Sequence, residues 1–591
     1  MTGYKPPLKD ILFAIREVAG LEQILAMPAL EGFDVGTAEQ VIEEAGNFAR
    51  DVLAPLNIPG DRSGCSIHDG VVQIPDGFAD AYRQFRENGW QTLAASPEYG
   101  GMGLPDLVAV AAWEMWQAAN MSFSLCPMLT SGGIAAIEAH GNESLRQSYL
   151  PKLVSGEWSS TMVLSEPQAG SDLAAVMTKA IPEGDRYRII GTKIFITWGD
   201  HPMAENIIHL VLARLPDAPA GVRGISMFLV PKFLQNDDGS LGERNDVYAA
   251  SVEHKLGIHS SPTCVLNFGE SGGAVGYLVG EENKGLASMF TMMNHARLEV
   301  GIQGLAVSER AYQLASAYAV ERVQGEAPGE EGRVTIIHHP DVRRMLLVMK
   351  SQIEAMRAVA YSSGALLDLL HYSENADQRA SAGARLALLT PIVKGWLTET
   401  AQALTSLGVQ IHGGMGFVEE TGAAQYMRDA RILTIYEGTT GIQAIDFVGR
   451  KILGDEGKAM RSLIDDMRVT VSDLAQSDGL QDLQEPLDQA IRDLEKSIDW
   501  LIATAPGDPD AAGSAGVNLL MLSGTVLGGW QMARAAIVVS SSASHYDKSF
   551  RQAKLHNARF YCAHILPRAG AFARAATAGS AMVMAIPDAH F

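Results

Sequence analysis

Apolar residues follow a helical period along most of the chain and a strand-like pattern in one central stretch. In the first 160 residues they recur every three to four positions, as they do between Val41 and Leu53, which is typical of amphipathic helices. Beyond residue 161, short β-favouring runs alternate with Gly, Pro and Asp, and they predict strands of an antiparallel sheet or small barrel at 187–197, 207–214, 225–231 and 263–268. Helical spacing returns near Lys284. The chain is therefore predicted to be mostly α-helical with a central β domain.

These changes of pattern divide the chain into four predicted domains. They are an N-terminal helical domain at 1–160, a middle β domain at 161–280, a helical bundle at 281–455 and an extra C-terminal helical domain at 456–591. Pro55 is expected to end the first strongly amphipathic helix. The predicted architecture is therefore α–β–α followed by further helices.

Charge and cysteine content narrow the function classes. Of 591 residues, 46 are Lys or Arg and 68 are Asp or Glu, which gives a formal charge of −22. Such an acidic surface repels polyphosphate, so general binding to nucleic acid or to an anionic membrane is not expected. The four cysteines lie far apart without a Cys-x-x-Cys pair, which predicts neither disulfides nor a metal site and favours the cytoplasm. The first ten residues lack the apolar core of a signal peptide.

The most apolar stretch, 516–539, is long enough to span a membrane. It contains Asn518, Gln531 and Arg534 together with several glycines, and a cationic or amide side chain is costly in the centre of a bilayer. The stretch is therefore predicted to be a buried helix of a protein without a membrane span.

One candidate for chemistry lies where helices give way to strands, in Met162-Val-Leu-Ser-Glu-Pro-Gln-Ala-Gly-Ser-Asp-Leu173. Glu166-Pro167 and Gly170-Ser171-Asp172 favour turns whose backbone N–H groups can point into one hollow, and such a hollow suits a phosphate or a polar ring edge. The alternative is an ordinary loop in which Ser171 caps a short helix. Taken alone, the segment leaves both interpretations open.

A second candidate is Glu437, in Ile435-Tyr-Glu-Gly-Thr439. Ile442, Ile445, Val448 and Ile452 predict an amphipathic helix that begins just after it. Helix N–H dipoles lower the pKa of a nearby carboxyl, whereas apolar surroundings raise it. A carboxylate whose pKa is raised can abstract a proton near neutral pH. The alternative is a surface Glu that only matches the helix dipole.

Three motifs together resemble the signatures of the acyl-CoA dehydrogenase family. They are Leu-Ser-Glu-Pro-x-Ala-Gly-Ser-Asp at 164–172, Gln-x-His-Gly-Gly-x-Gly-Phe at 410–417 and Ile-Tyr-Glu-Gly-Thr at 435–439. Their order, their spacing and the α–β–α succession fit that family over residues 35–455. The opening Tyr4-Lys-Pro-Pro-Leu8 and the extra C-terminal helices resemble a long bacterial branch, which includes enzymes for 3-methylmercaptopropionyl-CoA.

The resemblance implies a reaction and a catalytic base. In this family a Glu removes the α-proton of an acyl-CoA thioester while a hydride passes from the β-carbon to N5 of FAD, which yields a trans-2-enoyl-CoA. Glu437 matches that base, and its backbone N–H is expected to hold the thioester oxygen. Some members carry the base on an earlier helix, at the position of Ala296, and alanine cannot abstract a proton.

The resemblance also implies the residues that bind the cofactor and the substrate. The expected FAD contacts are Leu164, Ser165, Ser171, Phe195, Thr197, Arg322, Gln410, Gly413, Gly414 and Thr439. The expected acyl-CoA contacts are Ser171, Arg297 and Gly438. Arg322 and the segment from Gln410 to Gly414 match positions that reach the FAD of a partner subunit.

Several of these residues keep a second interpretation. Without the neighbouring motifs, Phe195 could be a strand residue of the core, and His412 could be a structural histidine. Arg297 could form a buried ion pair with Glu299 or another acid. Arg322 lies in Arg-Val-Gln-Gly, which lacks the Phe of the family's Arg-x-x-Phe-Gly site.

The expected protein is a cytoplasmic FAD-dependent acyl-CoA dehydrogenase that passes electrons to an electron-transfer flavoprotein. The extra C-terminal helices match a cover over the surface that shorter members use for tetramers, so a homodimer is expected. The substrate is 3-methylmercaptopropionyl-CoA or, alternatively, a medium- or long-chain fatty acyl-CoA of β-oxidation. An acyl-CoA oxidase is a second class, although Glu437-Gly-Thr-Thr440 favours the dehydrogenase. The charge of −22 disfavours a third class, a non-enzymatic flavin-containing relative that binds nucleic acid or protein.

Overall fold

Two compact units make up the computed structural model, which describes residues 3–542 and 544–591. The first, called here the helical unit, comprises the residues up to Gly46, Pro105–Ala118 and Arg297–Phe591. The second, the mixed unit, comprises Asn47–Leu104 and Ala119–Ala296.

Helices dominate the chain on both sides of a central stretch of strands. They are α1 (Leu8–Phe13), α2 (Leu21–Leu25), α3 (Val35–Phe48), α4 (Ala54–Ser63), α5 (Phe78–Glu87), α6 (Asp106–His140), α7 (Glu143–Val154), α8 (Gly285–Glu321), α9 (Pro340–Tyr372), α10 (Ala376–His412), α11 (Ala423–Ala430), α12 (Thr440–Ile445), α13 (Lys458–Gln476), α14 (Gln481–Thr504), α15 (Ala511–Ser540), α16 (Lys548–Phe560), α17 (Arg568–Ala576) and α18 (Ala581–Met584). The prediction of a mostly helical chain with a central β region is confirmed.

The expectation that Pro55 ends a helix is wrong. α3 passes into a π-helical turn at Ala49–Leu53, and α4 begins at Ala54. Pro55 therefore lies at the start of α4, directly after the π-helical turn, where the regular i to i−4 hydrogen bonds are already interrupted and the missing donor of proline is tolerated.

The strands are β1 (Ser66–His68), β2 (Val71–Gln73), β3 (Trp158–Val163), β4 (Lys179–Glu183), β5 (Arg186–Thr197), β6 (Asn206–Arg214), β7 (Ile225–Pro231), β8 (Phe233–Gln235), β9 (Leu241–Arg244), β10 (Val247–Val252), β11 (Thr263–Phe268) and β12 (Ala274–Val279). The main sheet has the order β10-β11-β5-β12-β7-β6-β3, and β4 pairs with β5 and β6. The four predicted strands are present as β5, β6, β7 and β11.

The sheet is mixed rather than antiparallel throughout. β3 runs parallel to β6, with Trp158 opposite Asn206 and Val163 opposite Val211. β3 has the sequence Trp-Ser-Ser-Thr-Met-Val and is buried at nearly every position. Because both faces of such a strand are covered, its residues do not alternate between apolar and polar, and the sequence pattern does not reveal it.

The core of the mixed unit fixes β5, which carries two candidate site residues at its C-terminal end. The buried apolar side chains around it include Ile189, Ile196, Phe228, Leu266 and Phe268. The last pairs of the strand are Ile196 with Cys264 and Thr197 with Thr263. The end of β5 is therefore a rigid support for the side chains at 195 and 197.

The apolar stretch at 516–539 lies within α15, a core helix of the helical unit. By length and composition α15 could cross a membrane, but 67% of its most apolar window is buried inside the protein. Gly524 explains part of its glycine content, because a Cβ there would lie 2.1 Å from Cγ of Trp396 in α10. Arg534 donates to the carbonyl oxygen of Val18 at 3.0 Å. The glycines and the cation thus serve packing within the unit.

The N-terminal segment packs on the C-terminal helices of the same unit. The ring of Phe13 in α1 meets the edges of Tyr546 and Phe550, with centroids 5.2 and 5.5 Å apart. Phe13 and Val18 share a core cluster with Ala358 of α9 and with α15. The two ends of the chain therefore stabilise each other.

Candidate functional site

Glu437 lies in a short loop between a 3₁₀ turn at Arg431–Thr434 and α12. Its backbone is left-handed at φ 56°, and Gly438 follows at φ 90°. A non-glycine residue in that region is strained and depends on support from its surroundings. The side chain is partly exposed. Protein atoms nevertheless surround the Glu437 carboxyl and keep much of the water away from it. This burial raises the pKa of the carboxyl to about 7, although the positive charges of Arg297 and Lys394 act to lower it.

Side chains from α10 and α12 hold this loop through its carbonyl groups. Gln443 donates from Nε2 to the carbonyl oxygens of Glu437 at 3.1 Å and Gly438 at 3.2 Å. Lys394 donates from Nζ to the same Gly438 oxygen at 2.7 Å. Hydrogen bonds therefore hold the peptide groups on both sides of Gly438. Gln443 holds the carbonyl of Glu437, and Gln443 and Lys394 together hold the carbonyl of Gly438.

The helix after Glu437 begins as the sequence predicts. Thr439 is the N-cap of α12, and its Oγ1 accepts a hydrogen bond from the N–H of Ile442 at 3.2 Å. The predicted apolar face is only partly correct, because Ile445 is 59% exposed whereas Val448 and Ile452 are buried. A π-helical turn at Asp446–Ile452 shifts the residues that follow α12 relative to a regular helical period.

Arg297 forms a buried ion pair, and its partner is Asp446. Nη1 of Arg297 lies 3.4 Å from Oδ2 of Asp446, and both side chains are nearly inaccessible. Glu299 instead accepts a hydrogen bond from Gln117 at 3.0 Å, and burial raises the pKa of Glu299 to about 8. Burial lowers the pKa of Arg297, while the charges of Asp446 and Glu437 raise it. Arg297 thus belongs to the electrostatic surroundings of Glu437.

Tyr436, the residue before Glu437, is anchored to α8. Its hydroxyl donates to Oε1 of the fully buried Gln303. Burial, followed by the charge of Glu437, raises the pKa of the Tyr436 phenol well above its usual value. The tyrosine is therefore a neutral hydrogen-bond donor on one side of the loop.

In the mixed unit, the turn at 164–166 is organised by a buried ion pair. Nζ of Lys193 lies 2.8 Å from Oε1 of Glu166, and it also donates to the carbonyl oxygen of Leu164 at 2.8 Å. Ser165 accepts at its carbonyl oxygen from the N–H of Ile194 at 2.9 Å. Burial opposes ionisation of Glu166, but the charge of Lys193 and the hydrogen bonds from Lys193, Thr178 and the N–H of Met177 together outweigh it and lower the pKa of Glu166 to about 2. Leu164 and Ser165 are thereby tied to the edge of β5.

Phe195 and Thr197 lie at the end of β5 next to that turn. Phe195 is 62% exposed and left-handed at φ 60°, so the structure rules out the alternative of a core strand residue. Thr197 is partly exposed. Further along, Ser171 is exposed, and the neighbouring Asp172, rather than Ser171, caps the short turn that follows by accepting from the N–H of Ala174 at 3.0 Å.

The 410–417 motif closes α10 in the helical unit. Gln410, Gly413 and Gly414 are exposed, and a Cβ on either glycine would meet no atom within 4 Å. His412 is 3% exposed and donates from Nδ1 to the carbonyl oxygen of Gly408 at 2.7 Å. The histidine thus has the structural role that the sequence allowed.

Arg322 follows the end of α8 and is exposed. Its Nη2 donates to Oε1 of Gln324 at 3.3 Å. The two residues that the sequence linked through the Arg-Val-Gln-Gly segment therefore meet at the surface of the helical unit.

Roles for Lys394, Gln443 and Lys193 were not predicted from the sequence. Lys394 stands in the apolar run Pro391-Ile-Val-Lys-Gly-Trp396, and Lys193 in Lys-Ile-Phe-Ile. A lone lysine among apolar residues of a predicted core element is seldom buried without a partner. That rule was the available signal, and for Gln443 the sequence carried none.

Comparison with known proteins matches nearly the whole chain to one family. Sequence models of the acyl-CoA dehydrogenase N-terminal, middle and C-terminal domains match residues 37–157, 161–270 and 283–453. A model described as acetyl-CoA dehydrogenase C-terminal like matches residues 463–587.

Relatives of similar length align with nearly the whole chain. A 3-methylmercaptopropionyl-CoA dehydrogenase of Ruegeria pomeroyi is 46% identical over 95% of this chain and 96% of its own. The broad-specificity linear acyl-CoA dehydrogenase FadE5 of Mycobacterium tuberculosis is 34% identical over 96% of each chain. The solved acyl-CoA dehydrogenase complexed with FAD from Bacillus anthracis is 20% identical, and it has the same fold, with a TM-score of 0.75 over 98% of this chain and 92% of that chain.

Proposed function

Because the chain belongs to the acyl-CoA dehydrogenase family, whose members are FAD-dependent oxidoreductases of acyl-CoA thioesters, we propose that Glu437 is its catalytic base. One observation carries the proposal: the Glu437 carboxyl stands in a left-handed loop that Gln443 and Lys394 hold in place, and burial raises its pKa to about 7. A dipole-matching surface Glu would have a lowered pKa instead. Ala296, at the position of the other family base, offers no proton acceptor.

Features of the described residues fit a flavin nucleotide. The exposed ring of Phe195 offers a flat apolar surface for another ring. Open space at Gly170, Gly413 and Gly414 leaves room for the close approach of phosphate oxygens to the backbone. FAD held by these residues would supply the acceptor for the hydride of the substrate's β-carbon. The remaining proposed FAD contacts are Leu164, Ser165, Ser171, Thr197, Arg322, Gln410 and Thr439.

The residues around Glu437 account for the proton transfer. In its carboxylate form Glu437 takes the α-proton of the thioester and becomes the neutral acid, which burial favours. The backbone N–H of Glu437 donates to the thioester oxygen, and this polarisation makes the α-proton more acidic. Gln443 and Lys394 fix the loop so that this donor does not reorient during the reaction. Ser171, Arg297 and Gly438 are the proposed substrate contacts, and the product is a trans-2-enoyl-CoA.

The proposed substrate is 3-methylmercaptopropionyl-CoA. Identity of 46% across 95% of the chain to an enzyme named for that thioester supports it. The alternative is a straight-chain fatty acyl-CoA, which the 34% identity to a linear acyl-CoA dehydrogenase supports.

Anaerobic mixing of the purified flavoprotein with a panel of acyl-CoAs tests this choice. The panel contains the thioether substrate, its carbon isostere, and straight chains of increasing length. The proposal expects the fastest bleaching of the flavin with the thioether, and slower bleaching with its carbon isostere, which is a straight-chain acyl-CoA. Faster bleaching with medium or long straight chains would assign the enzyme to β-oxidation.

The proposed assembly is a cytoplasmic homodimer that reduces an electron-transfer flavoprotein. Met415, Phe417 and Val418 are 50, 88 and 40% exposed beside the 410–417 motif, and apolar groups exposed together favour an interface between subunits. An acyl-CoA oxidase would release peroxide in air and gain nothing from an artificial electron acceptor. Turnover that depends on the acceptor supports the dehydrogenase.

A further inference from the structure

Lys394 is a fully buried cation in α10, at 0% exposure. Its hydrogen bond goes to a neutral group, the carbonyl oxygen of Gly438, at 2.7 Å. In the part of the chain that the structure describes, it has no carboxylate within 4.0 Å. An ammonium group in such a place is costly unless a nearby negative charge compensates it.

The negative charges that act on Lys394 belong to Glu437 and Glu399. Burial lowers the pKa of Lys394 to about 8, the two carboxylates oppose that change, and Arg297 adds to it. Glu399 already accepts a hydrogen bond from Oγ1 of Thr440 at 2.5 Å. Glu437 is therefore the principal carboxylate whose ionisation Lys394 can control.

The other cation near Glu437, Arg297, has a carboxylate partner of its own. Arg297 pairs with Asp446 at 3.4 Å, and Arg450 pairs with the other carboxylate oxygen of Asp446 at 3.3 Å. Arg297 lowers the pKa of Glu437 more than Lys394 does. Lys394 adds a second positive charge, and its hydrogen bond goes to the loop that carries Glu437.

Lys394 also shares a mechanical task with Gln443. Both donate to the carbonyl oxygen of Gly438, from different helices, and Gln443 alone donates to that of Glu437. A Cβ on Gly438 would lie 2.9 Å from Nε2 of Gln443, so the turn is closely packed against this donor. Loss of either donor leaves the left-handed backbone of Glu437 with less support.

We propose that Lys394 is a positioning residue that keeps Glu437 ionised and oriented for proton abstraction. The inference rests on the proposed function, since it assigns Lys394 a role only if Glu437 is the base. The hydrogen-bond and charge contributions can be separated, because Gln443 supplies only hydrogen bonds to the loop whereas Lys394 supplies both a hydrogen bond and a positive charge.

The charge contribution predicts a shift in the pH profile. A positive charge favours the carboxylate, so its removal raises the pKa of Glu437 and moves the onset of flavin reduction to higher pH. The groups that face Glu437 in this region are Arg297, Lys394 and the neutral phenol of Tyr436. Of these three groups, the experiment replaces only Lys394.

The test measures the rate of anaerobic flavin reduction by acyl-CoA from pH 5.5 to 9 in the holoenzyme. Lys394→Met and Lys394→Gln should raise the midpoint of the rise in rate by about 1 pH unit. Lys394→Arg, which keeps the charge, should restore most of the wild-type midpoint. Gln443→Leu should slow reduction and leave the midpoint unchanged. Lys394→Gln retains an amide donor, so it carries the test if Lys394→Met does not fold.

Wild-type midpoints in both Lys394→Met and Lys394→Gln would overturn the proposal. So would an equal midpoint shift in Gln443→Leu, which would mean that geometry rather than charge is responsible. Glu437→Gln is measured alongside. If that variant reduces its flavin at the wild-type rate, the base assignment itself fails, and this outcome is distinct from a failure that concerns Lys394 alone.

Discussion

Lys554 and Asp10 form an ion pair that joins the two ends of the chain within the helical unit. Nζ of Lys554 in α16 lies 2.6 Å from Oδ1 of Asp10 in α1 and 3.3 Å from Oε2 of Glu354 in α9. Burial opposes ionisation of Asp10, but the charges of Lys554, Lys350 and Arg357 outweigh it and lower the pKa of Asp10. The N-terminal segment and the extra C-terminal helices are thus coupled electrostatically as well as through the ring of Phe13.

Lys554→Met should destabilise the protein strongly. The substitution leaves the carboxylates of Asp10 and Glu354 without their shared cation, and breaking a buried pair costs about 3–5 kcal/mol. Lys9→Met is the matched control, because Lys9 pairs with Asp547 at the surface and exposed pairs contribute little. Urea unfolding at pH 7 measures both variants, and equal midpoints for the two would refute the coupling.

The Lys554–Asp10 ion pair also predicts how the stability of the protein changes at acidic pH. Because the folded-state pKa of Asp10 is lowered, its stabilisation is present above the unfolded-state pKa and is lost as the pH falls through the folded-state value. The difference in unfolding free energy between wild type and Lys554→Met should therefore shrink as the pH falls below 4. A difference that stays constant down to pH 2 would contradict this account.

Glu437→Gln should be more stable than the wild type at pH 8 but not at pH 5. The folded-state pKa of Glu437 is raised to about 7, so the unfolded state releases its proton first and wild-type stability falls between the two pKa values as the pH rises. A neutral amide avoids that loss, at the expense of activity. Thermal unfolding midpoints of the wild type and the variant at the two pH values measure this difference in stability. Glu485→Gln, at an exposed position, is the control and should show no pH-dependent gain in stability.

Phe195→Ala should weaken FAD binding without affecting the folded apoprotein. The ring is 62% exposed, so its removal leaves no cavity, whereas loss of a stacking partner weakens affinity about 2- to 10-fold. Met177→Ala, at a side chain 69% exposed in the same unit, is the control. Fluorescence titration of the apoprotein with FAD gives the affinities. Unchanged affinity in Phe195→Ala would exclude the ring from the flavin site.

Phe417→Asp should weaken the proposed dimer. Phe417 is 88% exposed beside the 410–417 motif, and a carboxylate in an apolar interface carries a desolvation cost. Val469→Asp places the same charge at another exposed apolar position, on α13, and should leave the assembly intact. Sedimentation velocity distinguishes the two. A monomeric wild type, or a dimer in Phe417→Asp with wild-type affinity, would disprove this interface.

Much of the fold follows from local patterns in the sequence. Strands such as Ile225–Pro231 were predictable because dense β-branched and aromatic runs end at Gly, Pro or Asp. β3 was not, because its serines and threonine are satisfied by partners distant in sequence. One example is the bond from Oγ of Ser160 to the carbonyl oxygen of Ile208 at 2.9 Å. Tertiary contacts of that kind leave no local period.

The candidate site was likewise predictable from the sequence only in part. Glu437, Gly438 and Thr439 form a contiguous motif with a helix start, so residue order alone indicated their placement. Lys394 reaches that motif from a different helix, and no sequence spacing reveals which helix faces which. The partner of Arg297 was also open, because finding Asp446 rather than Glu299 or another acid requires the packing of α8 against the segment after α12.

If Glu437 abstracts the α-proton, its loss should abolish flavin reduction, and rapid anaerobic mixing of Glu437→Gln with acyl-CoA measures that step itself. The variant should retain FAD and bind acyl-CoA, yet its flavin absorbance should not bleach on the wild-type time scale. Glu299→Gln, which removes another buried carboxyl of raised pKa, should bleach at close to the wild-type rate. Bleaching of Glu437→Gln at the wild-type rate would contradict the account.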